Sequence, residues 1–336
     1  MSPMRKRTRY SLLLMLGLMV ALVVVLVLRK EAPPEAARLL PESDAIVYVN
    51  LKPLRAATHF DRTQVTRSAD YQKFIDATGI VPERDLDCAA FALHRMDDPN
   101  GPNGPVGYSE VFEGRFDGER LARYLASIAT AKENYAGHDI FTISVGDGTS
   151  TRPLRIAQLG YDTIAASNMP TAEQIHSILD RHRAAASPFS GSSLLSARYR
   201  DVPAFSSAWA IGHIGLPFSD RGYISIFGLQ LPLPEDTTFV ASLRYLGTLH
   251  LRIEQIAPTE ADAAKATNSL TTLLTLIKSV QQTQAQMQPG GLSDAPFLDL
   301  MNSAKIERHN DRAVLTANIP LDLVKRLTTP SLERRP

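Results

Sequence analysis

Cysteine and tryptophan are the scarcest residues of this 336-residue chain, which has one of each, Cys88 and Trp209. A single cysteine excludes an internal disulfide, so the burial of apolar side chains must stabilise the folded part. The sequence also contains no N-x-S/T sequon, so it carries no mark of glycosylation in a eukaryotic secretory route. For an exported protein, this combination favours a bacterial envelope.

Local motifs for catalysis and cofactor binding are absent as well. The sequence has no G-x-S-x-G nucleophile elbow, no S-x-x-K with its supporting motifs, no G-x-G-x-x-G and no P-loop. We therefore predict no catalytic residue, no cofactor-binding residue, no metal ligand and no cofactor. An enzyme stays open in one form, a hydrolase whose carboxylates come from separate elements, because such pairs leave no local motif.

The net charge is small, but the charges are unevenly distributed. The whole chain has 36 basic and 35 acidic residues, a net charge of +1. Residues 1–30 contain six of the basic residues and no acidic residue, which leaves 30 basic and 35 acidic residues in the remainder. A mildly acidic surface is a poor match for phosphate backbones, so nucleic acid is not an expected partner of this larger part.

An uninterrupted apolar stretch runs from Ser11 to Leu28. As an α-helix it would span about 27 Å, close to the ~30 Å hydrocarbon core of a bilayer. We therefore predict a transmembrane anchor, with the lipid bilayer as its partner. The positive-inside rule puts the N-terminus in the cytoplasm and the bulk of the chain outside it. The basic residues that decide this orientation are Arg5, Lys6, Arg7 and Arg9.

Two other interpretations of this stretch stay open. A cleaved signal peptide would have an apolar region of about 7–15 residues and a small-x-small cleavage site, and neither fits the sequence here. A packed core helix is the third interpretation. Both the anchor and the signal peptide would export the same C-terminal part.

The rest of the chain divides into a linker and two parts. Residues 31–38 read EAPPEAAR, and a sequence with paired prolines is typical of a stiff, extended spacer. Patterned strands and helices fill residues 39–187 and 188–330, and the segment SPFSGSS at residues 187–193 marks the predicted boundary between them. Residues 1–30 form the cytoplasmic tail and the anchor.

Two stretches of these parts share a strand-to-helix arrangement. In residues 111–128 an outgoing strand meets Asp117, a helix-capping residue, and then an amphipathic helix; in residues 253–270 Thr259 takes the corresponding place. We therefore predict an α+β fold, in which an N-terminal transmembrane helix precedes two related antiparallel-sheet halves with helices packed on one face. The alternative is one continuous large sheet that curves over the helices.

Four short motifs mark the first of these parts. They are LPESD at residues 40–44, TGI at residues 78–80, DLD at residues 85–87 and YAG at residues 135–137. With them the chain resembles, over residues 38–186, an uncharacterised family of bacterial membrane-anchored or exported proteins that carries a domain of unknown function. The resemblance implies an anchored, exported domain, and it implies no activity and no site residues.

Charged and polar side chains that could form a site are expected to have structural roles. His176 and His182 are six residues apart, so on a helix they would point to different faces. Two histidines that bind one metal ion from a helix are instead usually four residues apart. Asp85 and Asp87 would share one side of a strand and could hold a cation, although a solvated strand lead is favoured. The eight histidines are His59, His94, His138, His176, His182, His213, His250 and His309.

Four further features are weighed in the same way. Asp97 and Asp98 lie in the loop MDDPNGPNGP, which lacks the ligand spacing of a calcium loop. Cys88 is expected to pack as a small hydrophobe. Trp209 is expected in the core, with an exposed ligand-binding ring as the alternative. The apolar stripe within residues 270–280 is also expected in the core, with a surface for a partner helix as the alternative.

These patterns predict a single-pass protein of the bacterial cytoplasmic membrane with an extracytoplasmic, periplasmic domain. The predicted role is binding, adaptor or scaffolding work on an envelope protein or polymer, and the alternative is the envelope hydrolase described above.

A reporter fusion tests the predicted topology. Alkaline phosphatase fused after Arg38 should be active, because this enzyme folds outside the cytoplasm and the anchor should carry it there. An expressed but inactive fusion would overturn the exported placement, and phosphatase activity in intact cells is the measurement.

Overall fold

The computed structural model of the chain describes residues 32–62, 67–98, 101, 104–146, 151–184, 190–213, 223–226, 229–232, 237–245, 247–287 and 295–323. Of the anchor predicted at residues 11–28, the structure describes only Met15 and Met19, which are helical and exposed; the rest of it lies outside the described residues. No helix in the described part of the chain is both long enough and apolar enough to cross a bilayer.

The described chain combines helices with a sheet of antiparallel strands, so the predicted α+β class is confirmed. The helices are α1 (Glu35–Leu39), α2 (Leu51–Thr58), α3 (Ala69–Thr78), α4 (Pro82–Asp85), α5 (Gly118–Ile128), α6 (Glu173–Arg183), α7 (Ser193–Arg198), α8 (Glu260–Met287) and α9 (Ala295–Ser303). The strands of the first part are β1 (Ala45–Asn50), β2 (Leu86–Arg95), β3 (Val106–Gly114), β4 (Ala131–Tyr135), β5 (His138–Val145), β6 (Arg152–Gln158) and β7 (Thr163–Ser167). Those of the second part are β8 (Ala208–His213), β9 (Tyr223–Ile226), β10 (Leu229–Pro232), β11 (Thr238–Tyr245), β12 (Leu249–Ile256), β13 (Lys305–His309) and β14 (Arg312–Ile319).

Twelve of these strands form one sheet in the order β13-β14-β12-β11-β8-β1-β2-β3-β7-β6-β5-β4, and β9 pairs with β10 separately. The two parts of the chain meet where β1 pairs with β8, with Ala45 opposite Gly212 and Val49 opposite Ala208. The described strands therefore make the continuous sheet that the sequence left as the alternative arrangement.

The helices α5 and α8 begin at the capping residues that the sequence predicts. The Asp117 carboxylate accepts a hydrogen bond from the Arg120 amide at 3.0 Å, at the start of α5. The Thr259 hydroxyl accepts one from the Asp262 amide at 3.1 Å, at the start of α8. Each cap satisfies an amide that has no partner inside its own helix. Both cap predictions are confirmed.

Helices cover both faces of the sheet, so the prediction of helices on one face is wrong. Ile140 packs in the same apolar cluster as α1, α6 and α7, whereas its neighbour Phe141 packs in the cluster of α3 and α5. In β7, Ala165 belongs to the first of these clusters and its neighbour Ile164 packs against the second. Successive residues of a strand point to opposite faces, so each face of this sheet has its own cover. A strand that buries both faces needs helices on both.

The predicted linker does not stay extended up to Arg38. Residues 35–39 form α1, and Ala36 and Ala37 are completely buried in the main core. Short alanine side chains allow this helix to lie close against the neighbouring elements, so the folded domain already begins at Glu35. The expected extended spacer is therefore wrong for the second half of residues 31–38.

A single apolar cluster joins the two parts of the chain. Ile46 of β1, Ile211 of β8, Leu195 of α7 and Ile178 of α6 all belong to it, and each is almost fully buried. The predicted boundary at residues 187–188 therefore separates two segments of sequence that share one core.

Truncation of Ile211 tests how strongly the shared core supports the fold. We expect Ile211→Ala to lower the free energy of unfolding by about 2–5 kcal/mol, because it leaves a cavity where β8 pairs with β1. Val145→Ala is the control, since Val145 is 47% exposed, and it should change stability by about 0.5 kcal/mol or less. Urea unfolding measures both, and equal effects of the two variants would contradict the shared core.

Candidate functional site

A cleft of about 990 Å³ lies where the two parts of the chain meet. One wall is residues 33–34, which precede α1, and another is residues 199–206, which connect α7 to β8. The remaining lining comes from Tyr48, Asn50, Leu195, Ser196 and Trp209. Because β1 and β8 both contribute, the cleft exists only when the two parts are paired.

Three aromatic rings form a continuous group on one side of this cleft. Tyr48 lies directly opposite Trp209 across the β1–β8 pairing, and their rings are stacked with centroids 5.5 Å apart. Tyr199 also contacts Trp209, in an edge-to-face arrangement with ring centroids 5.4 Å apart. Trp209 is only 3% exposed. The ring is thus a core residue, as the sequence favoured, and it also contributes to the cleft.

Polar side chains on the neighbouring strands β2 and β3 lie beside Tyr48. The Cys88 thiol donates to the Glu113 carboxylate at 3.1 Å, and Tyr48 and Cys88 are also hydrogen-bonded to each other. Burial, reinforced by the negative charge of Glu113, raises the pKa of Cys88 to about 12. A cysteine in this setting stays a thiol at neutral pH and is a poor nucleophile. Burial likewise raises the pKa of Tyr48.

Asp201 is the only carboxylate among the described residues that line the cleft, and it is already paired. Arg312 of β14 reaches it at 2.9 Å and, with its other terminal nitrogen, reaches the buried Glu254 at 2.8 Å. Arg252 pairs with Glu254 at 2.6 Å. The hydrogen bond to Glu254 is the main reason that the pKa of Arg312 is raised. This network fixes residues 199–201 to the sheet, and it leaves Asp201 paired with Arg312.

Phe205 stands at the rim in an unusual backbone conformation. Its φ of 62° lies in the left-handed region, which costs a bulky residue about 1–3 kcal/mol. Its side chain is nevertheless 77% exposed. Two hydrogen bonds hold the turn, from the Ser206 hydroxyl to the Pro203 carbonyl and from the Ser207 amide to Leu243. Sequence reasoning missed this residue, because nothing in the letters PAFSS signals a positive φ at phenylalanine.

The acidic residues weighed from the sequence lie elsewhere and do not form a site. Asp85 ends α4 instead of beginning a strand, and it is buried rather than solvated. Burial acts to raise its pKa, but hydrogen bonds from Arg84 and the Val81 amide outweigh it and lower the pKa. Asp87 pairs with Arg55 at 3.1 Å, so the two aspartates have separate partners. The loop of Asp97 and Asp98 is only partly within the described ranges.

The histidines that the structure describes take part in packing and hydrogen bonds. His94 meets the buried Ser109 hydroxyl at 2.9 Å, and burial lowers the pKa of His94. His176 stacks on Tyr135 with ring centroids 3.9 Å apart, beside a shallow depression of about 560 Å³ along α6. The rings of His138 and His182 are 5.7 Å apart. Within the described ranges, no group of three His, Cys, Asp or Glu residues could hold a metal ion.

The apolar stripe of α8 is half-buried rather than part of the core. Val280 at its end is 46% exposed, and Ala263 in the first turns is the one fully buried residue among the side chains described for this helix. The expectation that residues 270–280 form a core stripe is therefore wrong.

Glu110 of β3 is a described carboxyl group with a strongly raised pKa, and it lies away from the cleft. Glu110 points to the same face of the sheet as Phe112, two residues along β3, and it is opposite Phe91 on β2. Its neighbour Val111 points to the other face, where the main core lies. Glu110 makes no hydrogen bond or ion pair with any described residue. Burial raises its pKa from 4.5 to about 7.

Comparisons with known proteins add little to this geometry. No protein-family model matches the chain, and no curated protein matches it either. Crystal structures of TP0453 align with it, one crystal form at a TM-score of 0.46 and 10% identity over 88% of this chain and 98% of that one. A second crystal form aligns at 0.44 and 8% identity over 89% and 98%. At TM-scores below 0.5, such a likeness assigns neither a family nor a function.

The raised pKa of Glu110 predicts a specific pH dependence of stability. Between its usual pKa of 4.5 and its folded pKa of about 7, the folded protein holds a proton that the unfolded chain releases, so stability falls as the pH rises through this window. Glu110→Gln keeps the neutral form at every pH. It should match the wild type near pH 4 and exceed its stability by up to about 3 kcal/mol near pH 8.

Urea unfolding at both pH values measures this difference. Glu119→Gln, at an exposed position on α5, controls for the loss of one negative charge. A stability difference between Glu110→Gln and the wild type that does not change with pH would show that Glu110 is not protonated in the folded state.

Proposed function

We propose that this chain is a membrane-anchored, extracytoplasmic binding, adaptor or scaffolding protein of the bacterial cell envelope, and that the cleft at the β1–β8 pairing is its binding site. Residues 11–28 support the anchor through their length and their lack of charge. The N-terminal basic excess supports an exported domain. The cleft supports a binding role because it combines aromatic rings, prolines and a few polar side chains in one concave surface.

The observation that carries the proposal is the state of the acidic group in the cleft. A glycoside hydrolase needs two carboxyl groups about 5–9.5 Å apart on either side of the reacting bond. Among the described residues of the cleft Asp201 is the one carboxylate, and Arg312 holds it at 2.9 Å. Glu110, whose pKa of about 7 would suit an acid or base, does not line the cleft. These facts favour binding over the alternative of an envelope hydrolase.

The tether limits how far the proposed site can lie from the membrane. Residues 29–32 separate the end of the anchor from Pro33, which lines the cleft. Even a fully extended chain covers at most about 3.5 Å per residue, so the cleft can be no more than about 17 Å from the end of the membrane helix. Under this proposal the ligand is met close to the bilayer surface.

We also infer that residues 39–187 and 188–330 are two related halves. Outward from β1, the first half runs β1-β2-β3 and then β7-β6-β5-β4; outward from β8, the second runs β8-β11-β12 and then β14-β13. In each half three strands are followed by a helical crossover to the far edge, and the chain then returns inward. The shared order supports a common origin, with two strands fewer contributed to the large sheet by the second half.

Photo-crosslinking in living cells tests the proposed binding site. Benzoylphenylalanine placed at position 205 of the full-length protein should crosslink to a partner, because Phe205 stands at the rim of the cleft. The same probe at Tyr161 is the matched control, since Tyr161 is 83% exposed and does not line the cleft. Crosslinked products at 205 alone support the proposal. Products at both positions, or at neither, would contradict it.

A further inference from the structure

We infer that the rim of the cleft rests on the phospholipid surface of the membrane that holds the anchor, with the Phe205 ring inserted among the lipid head groups and Arg200 at their phosphates. The inference rests on the proposed function, since it takes both the anchor and the cleft from it. It deepens that function by naming the partner at the rim of the cleft as the bilayer itself.

The place where the chain enters the folded domain brings the rim close to the membrane. Residues 33–34 line the same cleft as Phe205, and α1 begins directly after them and has two completely buried alanines. The entry point is therefore a fixed part of the cleft wall. Residues 29–32 alone separate this wall from the end of the proposed anchor, a reach of at most about 17 Å. A domain held by so short a chain presents its cleft side to the bilayer.

The same sheet has a second end that lies further from this entry point. Phe205 comes just before β8, whose first residue, Ala208, is opposite Val49 of β1. Val49 is opposite Ala89 of β2, and Arg95 follows six residues later at the other end of that strand. Six residues of a strand cover about 20 Å. Arg95 is also exposed, so it marks a position on the domain that should stay away from the lipid.

Phe205 has the exposure and the backbone expected of a residue kept for contact with another surface. Its ring is 77% exposed, and its neighbour Ala204 is exposed as well. Its φ of 62° is costly for a bulky side chain, whereas glycine, asparagine or aspartate takes the left-handed region more readily. Strain of this kind at an exposed residue indicates a function. Apolar side chains such as phenylalanine settle at the boundary between head groups and acyl chains.

The charges around the rim allow this contact but do not provide most of it. Arg200 is exposed and makes no hydrogen bond or ion pair with any described residue, so its guanidinium can pair with a lipid phosphate. Its neighbour Asp201 is compensated by Arg312. Glu35, at the start of α1, is exposed and would oppose anionic lipids. The apolar ring must therefore provide the contact, which zwitterionic phospholipid should support.

A ligand held deep in the cleft fits the exposure of the aromatic side chains less well. Tyr48 is 7% exposed and Trp209 is 3% exposed, so the rings at the base of the cleft offer little surface to a ligand. The accessible aromatic surface is instead that of Phe205, on the rim. A rim contact suits a surface that meets the domain from outside. A soluble protein could also do so, and the experiment below separates it from lipid.

Fluorescence quenching by brominated lipid measures the contact in the full-length protein. Cys88 is 5% exposed, so an introduced cysteine can be labelled selectively, and the wild type serves as the labelling blank. Ala204→Cys carries an environment-sensitive dye beside an intact Phe205, and Arg95→Cys carries it at the far end of β2. Both proteins are reconstituted into phosphatidylcholine vesicles with or without bromine on the acyl chains near the head groups.

We expect the label at position 204 to lose emission in the brominated vesicles, because bromine quenches only over short distances. The label at position 95 should have the same emission in both kinds of vesicle. High salt should leave the loss at position 204 in place, since an apolar contact is not screened. Equal quenching at the two positions, or none at position 204, would overturn the inference.

A charge-matched pair of substitutions assigns the contact to the ring. Phe205→Asp in the Ala204→Cys protein should restore most of the lost emission, because a carboxylate is unfavourable below the head groups. Asn310→Asp adds the same charge in the β13–β14 turn, also at a left-handed φ, of 53°, and does not line the cleft; it should restore none. Aspartate tolerates both backbones, and circular dichroism checks that each variant is folded. Equal effects of the two substitutions would contradict the lipid contact.

Two further measurements separate failure of this inference from failure of the proposed function. Flotation of the vesicles shows whether each protein is anchored. An anchored protein that crosslinks to another protein from position 205, but shows no quenching at position 204, would keep the binding site and lose the lipid contact. A protein that does not float with the vesicles would overturn the anchor and, with it, both proposals.

Discussion

The pairing of β1 with β8 is the contact on which the rest of the structure depends. It joins two sheets, one of seven strands and one of five, into a single twelve-stranded sheet, and it extends one apolar core through both. It also brings Tyr48 opposite Trp209, which are far apart in sequence. A strand pairing fixes which side chains are neighbours on each face. The register of this one pairing therefore produces both the core and the aromatic side of the cleft.

Buried charge has a different role on each side of the sheet. Next to the cleft, Arg312 holds Asp201 and Glu254 together, so the acidic groups are compensated and the adjoining helical turn is fixed. Away from the cleft, Glu110 has no such partner among the described residues, and burial raises its pKa. A buried carboxyl without a partner is more stable protonated. The first arrangement fixes one wall of the cleft, whereas the second is expected to make the stability of the domain depend on pH.

Local features of the fold could be predicted well, and the reason is their short range. Asp117 begins α5 and Thr259 begins α8, as their positions in the sequence indicate. Caps, turns and amphipathic spacing involve residues within about four positions of one another, so the sequence displays them directly. The site could not be predicted in this way. Its parts come from the tether, from β1 and from the segment before β8, and none of these contains a motif.

By itself the sequence determined the α+β class, the capped starts of α5 and α8 and the expectation of an apolar N-terminal anchor, because these depend on composition and on local periodicity. Only the tertiary structure decided that the sheet is continuous, that helices cover both faces, that α1 is part of the core and that Phe205 takes a left-handed conformation. Each of these results from contacts between residues that are distant in the chain, and patterns of neighbouring residues do not record which distant partner a strand or helix will meet.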